Sequence, residues 1–387
     1  MKVRVGILST ADPKSGGIYQ YTLSLLEAFS NYSSNKFEYI QIRLPNFPKI
    51  LKEDIVINQD KNNIILKIKR LIFQQFGLKI GDILGSYNHP ELKDIDLIIS
   101  PTVVGMPLYM QKPFIMSIYD FQHKYYPSFF TIKERILRDI AFSVSKKANM
   151  LICESSFVKR DIEKFLKIPE ERIRVITSPP PKYIQKINIG SQDVINVKRK
   201  YDLPERYIFY PAQFWFHKNH IKLLEALSLL RNKYNTIAPL ILVGSKKNNF
   251  DNLMKAIEKL NLERQVKYLG YAPDEDMPYL YKLSTALVMP TLFESVSMPI
   301  WEAFYLGVPV VSSNVCALPE QVGDAGLLFD PFNIEDMAEK IYRIWIDENL
   351  RAELVQKGYN RIKDLTLENY AKQWEDVIEE VSRALYE

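Results

Sequence analysis

Short apolar runs alternate with longer amphipathic stretches along the whole chain. In the first half the runs cover residues 3–8, 97–99, 114–118, 150–153 and 174–176. The second half repeats the style at 207–210, 239–243, 266–269, 286–289, 309–311 and 326–329. Nearly continuous apolar strands separated by helices are buried on both faces, so the pattern predicts parallel sheets sandwiched between helices, an α/β fold.

The alternation is interrupted at Thr177-Ser178-Pro179-Pro180-Pro181-Lys182, where three successive prolines lack amide donors and hold the backbone extended. A hinge is expected at residues 179–190, which divides the chain into a domain at 1–185 and another at 186–367. The segment 368–387 carries Tyr370, Trp374, Val377, Ile378, Val381 and Leu385 at helical spacing, one apolar stripe able to pack back onto the first domain. Two doubly wound domains facing a cleft would receive ligands at the C-terminal ends of their strands.

At 387 residues the length accommodates two such domains, and 47% hydrophobic with 25% charged residues excludes disordered and fibrous classes. Cys153 and Cys316 stand far apart with no Cys or His at ligand spacing, which argues against a structural zinc and suits a reducing compartment. Both are read as buried small hydrophobes. The opening MKVRVGILST is too short in its apolar part for a secretory signal and reads as a first buried strand. No apolar stretch approaches membrane-spanning length, so the expected location is cytoplasmic.

Charge sharpens this picture. Residues 1–187 carry a net +10 and residues 188–387 a net −5. Between Asp60 and Asp82 no acidic residue occurs, while Lys61, Lys67, Lys69, Arg70 and Lys79 intersperse isoleucines, leucines and phenylalanines, the pattern of a basic amphipathic helix. A second basic helix is expected over 132–147. Either a solvated face over a core or an anionic membrane surface met by the first domain accounts for both. Nucleic acid is not expected, because no recognised binding module accompanies the charge.

The segment PTLFESVSMPIWEAFYLGVPVVSSN, residues 290–314, is the most informative. A strand ending near Met289 leads through a loop carrying Glu294 to a helix with Pro299 at its first position and Gly307 at its close. Backbone amides of Ser297 and Met298 at that helix start would favour an anion such as phosphate. Glu302, one turn in, leans back toward the same pocket as Glu294, and paired carboxylates suit hydroxyl-rich ligands. A phosphorylated sugar fits both features.

Here the chain resembles the retaining glycosyltransferases of family 4, which have the GT-B fold of two facing Rossmann-like domains. The likeness rests on Glu294 and Glu302, on Ala303 and Gly307-Val308-Pro309-Val310, and on Pro319-Glu320 with Gly323-Asp324-Ala325-Gly326-Leu327-Leu328-Phe329-Asp330-Pro331. It implies that Glu294 contacts the donor sugar, Glu302 the nucleotide ribose and Lys218 the donor pyrophosphate as leaving group. It also places Gly16 and Gly17, in Ser15-Gly16-Gly17-Ile18-Tyr19, beside the donor phosphate. Gln213 stands where the family often has an arginine, and Ser295-Val296-Ser297 replaces a common Gly-x-Gly. Backbone near Gly244 and Tyr271 is expected to receive the base. A family pattern Asp-x-Gln-His is kept as Asp120 to His123, which nominates His123 as catalytic with Asp120 orienting it.

The implied reaction moves a sugar, mannose or another hexose, from a nucleoside diphosphate to a glycan or lipid-linked acceptor with retention, using neither a resident cofactor nor an obligatory metal. Its setting would be cell-surface polysaccharide synthesis, in the cytoplasm or on the inner face of the cytoplasmic membrane. Two alternatives stay open: a non-catalytic nucleotide-sugar-binding partner, and a GT-B nucleotide-sugar epimerase. A dehydrogenase is disfavoured because no Gly-x-Gly-x-x-Gly occurs. Asp94-Ile95-Asp96 and Asp274-Glu275-Asp276 match a metal-binding Asp-x-Asp only superficially, the first opening a strand and the second capping a helix.

Overall fold

A computed structural model of the chain describes residues 2–12, 16–58, 63–185 and 190–386. Ser15, Lys61 and residues 186–189 of the expected hinge lie outside the described residues. The chain divides into two compact units, Met1–Pro179 with Leu365–Glu387, and Pro180–Asp364.

The first unit holds a seven-stranded sheet of β1 (Val3–Ser9), β2 (Phe37–Arg43), β3 (Glu53–Val56), β4 (Leu97–Ser100), β5 (Phe114–Ser117), β6 (Met150–Cys153) and β7 (Ile173–Val175). Their spatial order is β3-β2-β1-β4-β5-β6-β7, with every neighbouring pair parallel. The second holds β8 (Ile208–Pro211), β9 (Leu240–Val243), β10 (Val266–Tyr268), β11 (Ala286–Met289), β12 (Val310–Ser313) and β13 (Gly326–Phe329). They run β10-β9-β8-β11-β12-β13, again all parallel. The expected α/β class is observed in both units.

In each sheet the order reverses beside the first strand, between β1 and β4 and between β8 and β11. At such a reversal the loops of an open α/β sheet run in opposite directions, and ligands bind there at the carboxyl ends of the strands. The strands are apolar because both faces are covered: β4, β5, β6, β9, β11 and β12 are buried along their whole length.

Strands β2 and β3 were not expected from the pattern. In FEYIQIR the polar Glu38, Tyr39 and Gln41 interrupt the apolar run, and EDIV is a four-residue edge strand with two acids. Gln41 is nevertheless buried, because its side chain accepts from the amides of Ile50 (2.8 Å) and Leu51 and donates to the carbonyl of Pro48.

The final helix, Leu367–Tyr386, buries Tyr370, Trp374, Val377, Ile378 and Val381. It packs on the helix Gly17–Asn31, where the Tyr370 ring meets Tyr21 edge-on at 6.5 Å. Lys36–Glu379 (2.8 Å) and Arg174–Glu380 (2.6 Å) tie its far end to the same unit. Leu385, expected in the stripe, is exposed instead. Cys153 is buried as expected, but Cys316 is only half-buried, on a turn with φ +55°.

Candidate functional site

The second unit assembles its chemistry beside the β8/β11 reversal. The loop after β8 ends in a single 3-10 turn, Phe216–Lys218, and Asn219 then takes a left-handed conformation (φ +57°) before the helix His220–Tyr234. Asparagine tolerates this conformation, and here its amide donates to the carbonyls of Pro290 (2.9 Å) and Pro331 (3.1 Å). The His217 carbonyl accepts from Leu292 N (2.7 Å) and Thr291 Oγ1 (3.1 Å). These bonds staple the loop after β8 to the loop after β11.

The staple brings two predicted residues together. Lys218 Nζ donates directly to Glu294 Oε2, with the side chains only 17% and 18% exposed. A cation and an acceptor thus sit on adjacent loops at the reversal, each neutralised by the other.

Glu302 behaves differently. Its helix, Met298–Tyr305, starts after Ser297 with Pro299 at the second position rather than the first. The carboxylate is buried, with Oε1 accepting from Tyr183 Oη (2.5 Å) and Oε2 from Tyr281 Oη (2.5 Å). Burial raises its pKa above the usual carboxylate range, and the two tyrosines pull the other way by bonding the charged form. Glu302 and Glu294 therefore have separate partners. Neither tyrosine was foreseen: Tyr183 follows the prolines in the short helix Lys182–Gln185, and Tyr281 lies in the helix Met277–Lys282. Nothing at single-residue level in the sequence distinguishes them from core tyrosines.

Ser297 departs from expectation as an anion donor. Its N–H already donates to Gln321 Oε1 (2.8 Å), and Gln321 Nε2 returns a bond to the Ser297 carbonyl (2.7 Å). Any anion at this helix start would rely on later amides, beginning at Met298, because Pro299 has none. Gln213 Oε1 accepts from Trp215 Nε1 (2.9 Å), which folds it onto its own loop.

Gly244 is required by packing. With φ +151°, an added Cβ would lie 2.3 Å from the Ala212 carbonyl oxygen. Its N–H donates to Gly270 O (2.9 Å) and its carbonyl accepts from Tyr268 Oη (3.0 Å), so both backbone groups are engaged within the unit. Tyr271, beyond Gly270, is 74% exposed.

The first unit corrects one assignment. His123 Nε2 bonds Asp139 Oδ1 at 3.0 Å, and Asp120 instead accepts from Gln122 N (2.8 Å) and lies 3.6 Å from Arg138. Asp139 is sixteen residues downstream on the helix Ile132–Ser145, a separation that a local motif cannot report. The imidazole is buried, stacked on Phe142 at 5.6 Å with Phe130 edge-on, and burial lowers its pKa. Gly16 has φ +64°, whereas Gly17 opens its helix with open space around the position of a Cβ. A cavity of about 100 Å³ at the ends of β1, β2 and β3 is lined by Thr10, Leu44, Ile57, Val104 and Tyr109.

The Asp-x-Asp segments have other tasks. Asp276 does not cap its helix; it accepts from Lys200 Nζ (2.6 Å) and Tyr201 Oη (2.5 Å). Asp96 accepts from the Arg4 amide (2.8 Å), ahead of β4.

Residues 191–361, nearly all of the second unit, match the family described as Glycosyl transferases group 1. The second unit is a group 1 glycosyltransferase domain. Lys218, Glu294 and Glu302 all lie inside this group 1 domain. The O-antigen chain mannosyltransferase B of Escherichia coli is 34% identical over 227 residues, which are 58% of this chain and 59% of that protein. The chain thus spans less than two thirds of the length of the curated relatives it first matches. Over its whole length the fold is shared with solved structures. A sucrose-phosphate synthase from Thermosynechococcus elongatus superposes with TM-score 0.77 at 18% identity, covering 99% of this chain and 100% of the other. Anabaena Alr3699/HepE in complex with UDP and glucose gives 0.76 at 16% identity, covering 98% and 100%. The GT-B fold class is borne out, with a Rossmann-like parallel sheet on either side of the group 1 boundary.

Proposed function

We propose that the chain is a retaining glycosyltransferase of family 4 that moves a hexose, mannose in the first instance, from a nucleoside-diphosphate sugar to a glycan or lipid-linked saccharide in cell-surface polysaccharide synthesis. The observation that carries this reading is the Lys218–Glu294 pair at the β8/β11 reversal, inside a group 1 domain. Mannose is favoured because the curated relatives include O-antigen chain mannosyltransferases and a serotype-specific mannosyltransferase.

An entering diphosphate competes with Glu294 for Lys218. The phosphate carries more charge than a carboxylate, so the ammonium turns to it, and Glu294 is released to accept from hydroxyls of the donor sugar. Charge building on the departing phosphate is met by Lys218 without water having to reorganise. Each Glu302 oxygen keeps an acceptor lone pair beyond its tyrosine bond, the capacity needed to accept from a ribose hydroxyl. The departing phosphate oxygen takes the acceptor's hydroxyl proton on the same face of the sugar, so configuration is retained. No resident cofactor or obligatory metal enters this scheme. The reaction is placed in the cytoplasm.

The test is a saturation-transfer NMR screen of GDP-, UDP- and dTDP-sugars and their bare diphosphates, followed by product analysis with a saccharide acceptor. Binding of one nucleotide sugar that is lost in Lys218→Met, with an α-linked product from an α-linked donor, supports the assignment. Inverted product overturns retention, and conversion of the donor without any acceptor would identify an epimerase.

A further inference from the structure

A carboxylate is rarely kept in a core without a cation. Glu302 is only 4% exposed, and among the described residues neither a lysine nor an arginine pairs with it; Asp274 adds repulsion instead. Glu294, by contrast, is answered by Lys218. An apolar side chain of similar volume would be more stable in the place of Glu302, so the acid is accounted for by what it can bind rather than by the fold.

Two phenols hold it. Tyr183 Oη donates to Oε1 and Tyr281 Oη to Oε2, each at 2.5 Å, from two different helices. One donor on each oxygen fixes the plane of the carboxylate as well as its place. Tyr281 lies inside the group 1 domain, whereas Tyr183 precedes residue 191, where that match begins. Its segment is nevertheless firmly set. Pro180 and Pro181 are buried and have a restricted φ. The Pro181 carbonyl accepts from the N–H of the buried Ile184 (3.0 Å), and the Pro180 carbonyl accepts from Gln185 Nε2 (2.6 Å). Prolines leave the unfolded chain fewer conformations to lose, so a ring two residues beyond them is placed at low entropic cost.

We propose that Tyr183 is a positioning residue for nucleotide recognition: from the proline segment ahead of the group 1 domain, it orients the Glu302 carboxylate to accept from the ribose hydroxyls. The inference rests on the transferase reading, which supplies the ribose, and goes beyond it by assigning part of the nucleotide selectivity to a residue outside the matched domain. Tyr183 acts through the carboxylate. Without its hydroxyl, Oε1 loses a donor that favours the charged form, and burial together with Asp274 pushes the group toward its neutral form. A neutral carboxyl spends one oxygen on a proton and accepts more weakly.

The test is calorimetric titration of the full chain with GDP and UDP, each against its 2′,3′-dideoxy counterpart. In the parent, the better-bound ribonucleotide should exceed its dideoxy counterpart by about a hundredfold in affinity. Tyr183→Phe keeps the ring and should cut that ratio about tenfold, through weaker ribonucleotide binding with the dideoxy affinity held within about twofold. In a Glu302→Gln background the same substitution should leave the ratio unchanged, because the group it acts through is gone. A merely structural role would weaken both nucleotides equally. That result, or a parental ratio in Tyr183→Phe, overturns the proposal while leaving the ribose at Glu302. A parent that binds ribo- and dideoxynucleotides alike, or binds neither, removes the ribose from Glu302 and overturns the proposal together with that part of the transferase reading.

Discussion

Lys218 and Glu294 come from loops after different strands and meet as an ion pair, though seventy-six residues separate them in sequence. Each holds the other where a charged ligand would need it. Removing one partner leaves a largely buried charge without its counterion, which costs more than removing both. Lys218→Met and Glu294→Gln should each lower stability by about 1–3 kcal/mol, and the double variant should lose clearly less than the sum. Urea midpoints of the three variants measure this. Transfer should fall by about a hundredfold or more in either single variant; parental rates in Lys218→Met would remove it from the leaving-group role.

Glu302 makes stability pH-dependent in a defined direction. Burial raises its folded pKa above the unfolded value, so the folded state holds the proton more tightly than the unfolded one. Stability is then greatest below the unfolded pKa and falls as pH rises toward the folded pKa. Glu302→Gln should gain relative to the parent between acid and neutral pH, read as the difference in urea midpoint at the two pH values. A midpoint difference that does not change with pH would contradict the assignment. Tyr183→Phe strips one bond from the carboxylate and should push its pKa higher still, enlarging the parent's loss.

His220 acts with the opposite sign. It packs between Tyr210 and Phe214, each with its ring centroid 4.7 Å away, and among the described residues neither ring nitrogen has a partner. Burial, with Lys218 adding repulsion, pushes its pKa down to about 3. The stability it contributes is complete above the unfolded histidine pKa and is lost as pH falls toward 3. Imidazole NMR should show His220 neutral throughout the pH range from 7 to about 4, and His220→Phe should be less acid-labile than the parent.

His123 offers a direct comparison of two aspartates. Because Asp139 and not Asp120 bonds its Nε2, Asp139→Asn should shift the His123 titration and lower kcat more than Asp120→Asn does. Equal effects on the titration would show that orientation does not depend on the Asp139 bond.

Two glycines should respond in opposite ways. Gly244→Ala forces a Cβ against the Ala212 carbonyl at a positive φ and should cost about 2 kcal/mol or more in stability. Gly17→Ala meets open space at a helix start and should be neutral or stabilising by about 0.5–1 kcal/mol. Thermal midpoints distinguish them.

Several features were legible because their cause is local. Strands β4, β5, β6, β9, β11 and β12 stand out because each is buried along its whole length between covering helices. The helix starting at Met298 was readable from Pro299 and Gly307, to within one residue, because proline and glycine act on their own backbone angles. Other features have no local cause. β2 is polar at Gln41 yet buried, because the amides of Ile50 and Leu51 return to satisfy it. Ser297 keeps its place at a helix start, but Gln321 has taken its amide.

By its own pattern, the chain determined a pair of parallel α/β units, a division at the run of prolines, and a motif that places Glu294, Glu302 and Lys218 in one domain. Periodicity and backbone restriction act over a few residues and leave a trace in them. Which side chain meets which was decided only by the tertiary structure. Tyr183 and Tyr281 close on Glu302, Asp139 displaces Asp120 at His123, and Arg70 turns inward while Ile64, Ile65 and Phe76 turn out. Each of those outcomes depends on burial, and burial is a property of what the rest of the unit leaves uncovered.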